Sequence, residues 1–239
     1  SVEDLEQVID MMTSGDVDAF IAEPIQCVGG VSVPPDGLLG SLQTVLTDQG
    51  ILFNSDEVQS GWGRTGEHRW GYQAHGVTPD LLTFATGVGP GLSLGGVVGR
   101  AELIDSMGAN SISTFGGNPL SSAGAVATLR YLLDHDLQGN ALVAGRRLRE
   151  RLDAAAAGVD WIAEVRGKGL MQAIETVRPG GLTPAPELAA EVHERCQQAG
   201  LLIGKGVLYG NVLRIAPRLT VSAAEVDQAA DIIATAIAQ

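Results

Sequence analysis

The sequence has few cysteines, few basic side chains and no long apolar run. Cys27 and Cys196 are its only cysteines, and two isolated thiols favour a reducing compartment, by default the cytoplasm, over a disulfide framework. Fifteen basic against 28 acidic residues give a net charge of −13, which argues against nucleic acid or an anionic membrane as the partner. The short, interrupted apolar runs predict no transmembrane span. The acidic, amphipathic N-terminus is unlike a signal or transit peptide.

What is present is typical of a globular protein. Hydrophobic residues make up 45% of the 239 positions and charged residues 18%, a balance that excludes a disordered chain. The length is sufficient for one large core or two smaller ones. The 32 glycines indicate many tight turns or close backbone approaches.

Strand-like and helix-like stretches alternate in the first half of the chain. Strands are predicted at 19–22, 51–55 and 81–85, with a helix at 38–49 between the first two, and this alternation favours an α/β fold with a parallel sheet. From residue 162 the pattern changes to a small α+β domain. Its predicted elements are strands near 162–174, 201–203 and 212–215, and helices at 187–199 and 223–238. We therefore predict one domain over residues 1–135 and a second over residues 136–239.

The stretch ILFNSDEVQSGWGRTG, residues 51–66, is the centre of the prediction. Its apolar strand ends abruptly in Asp56 and Glu57, and a glycine-rich loop that carries Arg64 follows. Open α/β sheets build their ligand sites from side chains at the carboxyl ends of strands. The strand-like run 81–85 also ends in a glycine-rich turn, which begins at Thr86. The two strand ends are expected to face one crevice.

These residues carry a resemblance to a known family. The motif DEVQ-x-G-x-GRTG, preceded by AEPIQ (22–26) and followed by STFGGNP (113–119), resembles the class III aminotransferases, in particular the alanine–glyoxylate type. The family consists of pyridoxal-phosphate enzymes of fold type I, the aspartate aminotransferase fold. The resemblance extends over residues 1–239, which correspond to about the second half of a family member. It implies the second half of the large domain followed by the C-terminal small domain.

The resemblance assigns cofactor-binding roles to three residues of the DEVQ motif. Asp56 is expected to pair with the pyridinium nitrogen, so that the ring can act as an electron sink for a carbanion. Val58 is expected to pack against one ring face, and Gln59 to hydrogen-bond the phenolic oxygen. Glu57 points the opposite way by strand alternation, so a structural partner is predicted for it. Without the family motif, Asp56 is equally well explained as an acid that caps a loop at a strand end.

Ser113 and Thr114 precede a glycine-rich turn whose hydroxyl and N–H groups suit a phosphate. In the family, this threonine reaches the cofactor phosphate of the neighbouring subunit, which implies a homodimer. The alternative is an ordinary turn followed by an N-cap for the helix that begins at Pro119.

Two residues are candidates for the substrate-binding site. Arg214 lies at the end of an apolar strand in an R-x-A-P motif, where the family's arginine holds a substrate carboxylate in a bidentate manner. Glu23 resembles the glutamate that pairs with this arginine when a second substrate lacks a group there. A surface ion pair is the alternative for Arg214. The chain departs from the family pattern at Cys27, where glycine is usual, and at Arg218, where proline is usual. No metal site is predicted.

Thr86 is the decisive departure from the family. The Schiff-base lysine of the family follows the strand in a T-x-A-K-G pattern, whereas residues 83–87 of this chain read TFATG. Transamination needs an amine that binds the cofactor and moves a proton, and a threonine hydroxyl does neither at a useful rate. The two lysines, Lys168 and Lys205, fall in the predicted small domain and are not expected to substitute for it.

Two hypotheses about function follow. The first is an aminotransferase-type chain for a small amino acid and a 2-oxo acid that is inactive alone. It lacks the lysine and the N-terminal half, which is expected to supply the phosphate loop, the ring-stacking aromatic and much of the dimer interface. A complementing chain would have to provide that half. The second hypothesis is a non-catalytic binding or scaffold module, or a fragment, derived from such an enzyme. An exposed apolar patch on the sheet would favour the second.

Overall fold

The computed structural model describes residues 1–108, 112–206 and 208–239. This part of the chain divides into two compact units. The first unit consists of Ser1–Pro24, Pro34–Trp62 and Trp70–His135, and the second of Ile25–Val33, Gly63–Arg69 and Asp136–Gln239. Two short segments, 25–33 and 63–69, therefore belong to a different unit from the residues that flank them in sequence.

The first unit is built around a four-stranded sheet in the order β1-β2-β3-β4. In chain order its elements are α1 (Val2–Met12), β1 (Ala19–Ala22), α2 (Leu38–Asp48), β2 (Leu52–Asp56), a 3₁₀ helix (Gly71–His75), β3 (Leu81–Ala85), β4 (Gly95–Gly99), α3 (Ala101–Ile104) and α4 (Pro119–Asp134). Strands β1, β2 and β3 are parallel, as predicted, whereas β4 is antiparallel to β3. The reason is the short connection 86–94, since a parallel neighbour needs a crossover of a dozen residues or more.

One face of this sheet is covered and the other is more exposed. Helices α1 and α2 supply Ile9, Leu39 and Leu46 to a core that also contains Phe53 of β2. The opposite face carries Ile21 of β1, which is 60% exposed, and Val97 of β4, which is 54% exposed. The pairing register places both on the same side of the sheet as Asp56.

The second unit contains an antiparallel sheet in the order β5-β6-β8-β7. Its elements are α5 (Leu137–Ala156), β5 (Ile162–Lys168), β6 (Met171–Thr176), α6 (Pro186–Gln198), β7 (Gly204–Lys205), β8 (Val212–Ile215) and α7 (Ala223–Ala238). The single strand-like stretch predicted at 162–174 is a hairpin of two strands. The strand predicted at 201–203 is wrong, because Leu201 and Ile203 pack against the helical core and the ladder begins only at Gly204.

The two faces of the second sheet are both covered. Helices α5, α6 and α7 bury Leu148, Val192 and Ile233 against one face. Segment 25–33 packs on the other face, next to Met171 and Val212. No helix among the described residues combines the length and apolar content needed to cross a bilayer. The mixed α/β architecture, with a second unit of antiparallel strands and helices, confirms the predicted fold class.

Candidate functional site

Three predicted site residues follow three neighbouring parallel strands of the first unit. Glu23 comes directly after β1, Asp56 ends β2 and Thr86 comes directly after β3. Because β1, β2 and β3 are parallel and adjacent, their carboxyl ends meet at one edge of the sheet, with strands about 4.8 Å apart. Two acids and a hydroxyl therefore share the edge at which open α/β sheets bind ligands.

Asp56 and Glu57 have very different surroundings. Glu57 is fully buried, and its carboxylate accepts hydrogen bonds from the Ser55 and Ser60 hydroxyls and from the backbone N–H groups of Gly71 and Tyr72, at 2.7 to 3.1 Å. The structural partner predicted for Glu57 is therefore confirmed. The half-buried carboxylate of Asp56 accepts one hydrogen bond, from the Val58 N–H at 3.1 Å.

The remaining acceptor sites of Asp56 face no basic side chain among the described residues of its unit. A half-buried carboxylate without a cation is a place where a cationic or N–H-bearing ligand group would be stabilised. Val58, half-buried, and Gln59, exposed, follow Asp56 on the same turn. The carboxylate of Asp56 therefore has acceptor sites available to a ligand, whereas hydrogen bonds from the protein occupy those of Glu57.

Thr86 lies on a strained turn. Its φ of 46° is in the left-handed region, which is unfavourable for a β-branched residue. Its backbone is held by two hydrogen bonds, from its own N–H to Leu94 O at 2.9 Å and from the Gly89 N–H to its carbonyl at 3.1 Å. The side chain is exposed at the end of β3. Strained residues that surrounding bonds hold in place are frequent at ligand sites.

An aromatic cluster beside this turn was not predicted from the sequence. The Trp62 ring contacts Trp70, with ring centroids 4.5 Å apart, and Phe84, at 5.2 Å. A Cβ atom on Gly87 would lie 3.3 Å from the Trp62 ring, so the glycine allows the turn to pass closely over it. The indole N–H of Trp62 is buried without an acceptor in the described structure. The three aromatic positions are dispersed in sequence, so no local pattern indicated that they meet.

Ser113 and Thr114 lie in the turn before α4. The Ser113 hydroxyl accepts a hydrogen bond from the Gly116 N–H at 3.0 Å, and both side chains are exposed. The N-cap of α4 is Asn118, whose side-chain oxygen accepts from the Ser121 N–H at 3.0 Å, with Pro119 at the first helical position. The cap is thus supplied by another residue, and the two hydroxyls remain accessible to a ligand.

Arg214 belongs to the second unit and lies on β8, near its end. Its Nη2 donates a hydrogen bond to Cys27 Sγ at 2.8 Å, and its Nε is buried without an acceptor in the described structure. Arg214 lines a largely apolar cleft of about 270 Å³, together with Ile203, Gly204 and Pro217. The arginine therefore combines an unsatisfied N–H group with room for a small ligand in its own unit.

A larger cleft of the second unit contains none of the predicted site residues. It has a volume of about 360 Å³ and is lined by Arg166, Glu164 and Glu175 among others. The guanidinium of Arg166 pairs with both glutamates and donates to Gly30 O at 2.8 and 3.0 Å. Two glutamates neutralise Arg166 in this cleft, so Arg166 is less available to a ligand carboxylate than Arg214 is. The larger volume therefore does not make this cleft a better candidate for a carboxylate site than the cleft beside Arg214.

The two lysines of the sequence both lie in the second unit. Lys168 ends β5, and its Nζ forms an ion pair with Glu67 at 3.2 Å. Lys205 lies on the short strand β7 and is exposed. Residues 1–135 contain no lysine. The strand-end edge of the first unit therefore has no lysine amine of its own.

Comparison with known proteins identifies the family. The family described as aminotransferase class III matches residues 1–237. Alanine–glyoxylate aminotransferase 2 homolog 2 of Arabidopsis thaliana is 40% identical over 90% of this chain and 46% of its own length. An alanine/serine racemase of Pyrococcus horikoshii is 38% identical over 93% of this chain and 46% of its own length. The chain thus spans about half the length of these curated relatives.

The solved structures agree with the sequence relatives. A phospholyase from Arthrobacter, solved in complex with phosphoethanolamine, superimposes with a TM-score of 0.95 at 34% identity. That comparison covers the whole of this chain and 58% of the phospholyase. The chain therefore belongs to the class III aminotransferases, a family of pyridoxal-phosphate-dependent enzymes of fold type I.

Proposed function

We propose that this chain carries the ring-binding and carboxylate-binding residues of an aminotransferase site for a small amino acid and a 2-oxo acid. We further propose that it does not transaminate by itself, because Thr86 occupies the position of the family's lysine. The observation that carries the proposal is the sheet edge at which Thr86 follows β3 and Asp56 ends the adjacent strand β2.

Asp56 fits the cofactor of the family. When bound, pyridoxal phosphate supplies an electron sink for a carbanion at the substrate Cα. The carboxylate of Asp56 is half-buried and has acceptor sites to spare, so it would hold the proton on the ring nitrogen. Val58 and Gln59 follow within the same turn and would contact the ring face and the phenolic oxygen.

Thr86 does not fit the covalent role of the lysine. Its hydroxyl has no amine to offer, and it cannot carry a proton between the substrate Cα and the cofactor at a useful rate. With no lysine in residues 1–135, this part of the chain could hold the cofactor only noncovalently. Thr86 would then contribute a hydrogen bond from its exposed hydroxyl.

The remaining roles concern the phosphate, the substrate and assembly. Ser113 and Thr114 would contact the cofactor phosphate of a neighbouring subunit in a homodimer. Arg214 would bind the substrate carboxylate, and Glu23 would pair with that arginine when the substrate lacks a second group. We propose that the two units correspond to domains 1–135 and 136–239, with segments 25–33 and 63–69 packed on the second. A cytoplasmic location remains a prediction from the two isolated thiols.

The test is to restore the amine. The purified chain and its Thr86→Lys variant are titrated with pyridoxal phosphate, reduced with borohydride and digested, and the labelled peptide is identified by mass spectrometry. We expect no stable label on the natural chain and a label on residue 86 of the variant. Thr86→Met, which has similar length and no amine, serves as the matched control and should remain unlabelled.

Two outcomes would contradict this proposal. A stoichiometric label on Lys168 or Lys205 of the natural chain would show that another lysine replaces the missing one. Absence of label from a folded Thr86→Lys variant would show that Asp56 and its neighbours do not form a cofactor site in this chain.

The exposed sheet face favours a second candidate function, a non-catalytic module that associates through this face. Ile21 and Val97, on the two outer strands, are more than half exposed on one side of the sheet, and exposed apolar side chains of this kind are available to a partner. Sedimentation of the chain and of Val97→Asp tests this candidate. The control is Val98→Asp, which changes an equally exposed valine on the opposite face of β4. Dissociation by Val97→Asp alone supports the module, and a monomer in all three proteins rejects self-association.

A further inference from the structure

Cys27 is a buried thiol next to a charged group. It is 2% exposed, and it packs among apolar side chains that include Ile25, Met171 and Val212. Within this apolar cluster, Arg214 Nη2 donates a hydrogen bond to its sulfur at 2.8 Å. The predicted carboxylate-binding arginine therefore already has an acceptor from its own chain.

Arg64 adds a second positive charge near Cys27. Its guanidinium donates to the carbonyl oxygens of Leu170, at 3.4 Å, and of Pro217. Burial lowers the pKa of Arg64, and the nearby charge of a Cys27 thiolate opposes that effect. Within the described part of the second unit, neither Arg64 nor Arg214 forms an ion pair with a carboxylate.

The third arginine in this region is already compensated. Arg166 reaches segment 25–33 through Gly30 O, but it also pairs with Glu164 and Glu175. Within the described part of the second unit, the segment thus meets Arg166, which two glutamates neutralise, at Gly30, and it has Arg64 and Arg214 near the Cys27 sulfur. Cationic neighbours favour the thiolate form of a cysteine, and a thiolate accepts a stronger hydrogen bond than a thiol.

We propose that the Cys27 sulfur is a built-in acceptor for Arg214 that competes with a ligand carboxylate, so that Cys27 sets the affinity of the carboxylate site. This inference rests on the proposed role of Arg214. A carboxylate that binds in a bidentate manner needs two parallel N–H groups of the guanidinium. The sulfur holds one N–H of Nη2, and a ligand that displaces it leaves a thiolate, which takes up one proton from solvent to become a thiol.

The competition has a reciprocal consequence. If ionisation of Cys27 weakens carboxylate binding, then carboxylate binding must shift that ionisation to higher pH by the same factor. The other cysteine provides an internal reference, because burial without a charged partner raises the pKa of the Cys196 thiol. A thiolate step that a Cys27→Ser variant loses belongs to Cys27 and not to Cys196.

The experiment follows the thiolate absorbance of the full chain in the ultraviolet as pH is raised, with and without acetate at constant ionic strength. Cys27→Ser keeps a hydrogen-bond acceptor that does not ionise, and it is the matched control. We expect a thiolate step in the natural chain that is absent from Cys27→Ser and that moves to higher pH with acetate. Calorimetry should show acetate affinity falling about tenfold per pH unit above this step, but staying constant in Cys27→Ser.

Separate outcomes overturn the inference and the proposed function. A Cys27 thiolate step that acetate does not move, or an acetate affinity that falls equally in both proteins, overturns the competition. Arg214→Gln tests the proposed function by itself, since acetate binding as tight as in the natural chain rejects the carboxylate role of Arg214. If that variant does not fold, the acetate-dependent shift in the natural chain still decides the inference.

Discussion

Asp56 and Glu57 are consecutive carboxylates at the end of one strand, and the protein surrounds them in opposite ways. Glu57 is enclosed and accepts four hydrogen bonds from its own chain, whereas Asp56 accepts one. Because successive side chains of a strand alternate between its two faces, Glu57 points towards the core and Asp56 towards the opposite face. The difference teaches that one motif can serve both stability and ligand binding, with adjacent residues divided between the two tasks.

The largest expected effect is on stability, at Glu57, whose carboxylate is fully hydrogen-bonded. Glu57→Gln should lower the free energy of unfolding by about 3 kcal/mol, because the amide nitrogen would face donors that now bond a carboxylate. Urea denaturation measures it. Asp56→Asn is the matched control and should change stability by about 0.5 kcal/mol or less, since the amide oxygen still accepts the Val58 N–H. Equal losses in both variants would remove the contrast between the two acids.

The second effect is on cofactor binding at Asp56, whose carboxylate accepts only one hydrogen bond, and it is measured in the Thr86→Lys variant. Asp56→Asn in that background should weaken retention of pyridoxal phosphate by about 10- to 100-fold, because a neutral amide cannot stabilise a protonated ring nitrogen. Equilibrium dialysis with absorbance detection measures the affinity. Asp48→Asn, at the exposed end of α2, provides a control of the same chemistry away from the edge. Similar affinities for all three proteins would remove Asp56 from the cofactor site.

A third, smaller effect tests whether the edge near Asp56 is optimised for stability. Thr86→Asn should raise the free energy of unfolding by about 0.5 to 1 kcal/mol, because asparagine tolerates the left-handed region better than a β-branched residue does. Thr83→Asn, within β3, should instead destabilise the chain. Thermal unfolding of both variants measures the difference. A loss of stability in Thr86→Asn would indicate that the threonine hydroxyl contributes to the fold.

The smallest effect is expected at two partly exposed carboxylates of α7, Glu225 and Asp227. A bidentate hydrogen bond from Arg147, at 2.6 and 2.7 Å, lowers the pKa of Asp227 below its ordinary 3.8. The Ser222 N–H, followed by the Ser222 hydroxyl and Arg218, lowers the pKa of Glu225 below 4.5. Because the folded values are lowered, these groups stabilise the fold fully above the ordinary values, and the contribution is lost as pH falls through the lowered ones.

Asp227→Asn should therefore flatten the pH dependence of stability below about pH 4 by a small amount that added salt diminishes. Urea midpoints at a series of acidic pH values, at low and high salt, measure it. An unchanged pH profile in the variant would show that this exposed pair does not contribute. Arg218, where the resemblance implies proline, pairs with Glu225 at 2.5 Å next to the cap of α7.

Local patterns predicted most of the elements but not all of their pairings. Strands at 19–22, 81–85 and 212–215 have the predicted bounds, because each is a short apolar run between strong turn signals. The direction of β4 could not be read in the same way, since an apolar run has no intrinsic orientation and the short turn 86–94 decides it. The stretch 201–203 has strand composition, but its side chains serve packing and not pairing.

Some features of the candidate site also follow from local sequence, and others do not. The order of Glu23, Asp56 and Thr86 at three strand ends follows from sequence, because parallel neighbouring strands bring their carboxyl ends to one edge. The aromatic contacts of Trp62 with Trp70 and Phe84 do not follow, since they join dispersed positions.

By itself, the sequence determined the family, the alternation that builds the parallel sheet and the absence of a lysine from residues 1–135. Only the tertiary structure decided that segments 25–33 and 63–69 pack with the second unit, and that Cys27 meets an arginine 187 positions away. The physical reason is range: propensity, periodicity and turn chemistry act over a few residues, whereas these contacts depend on how whole elements pack.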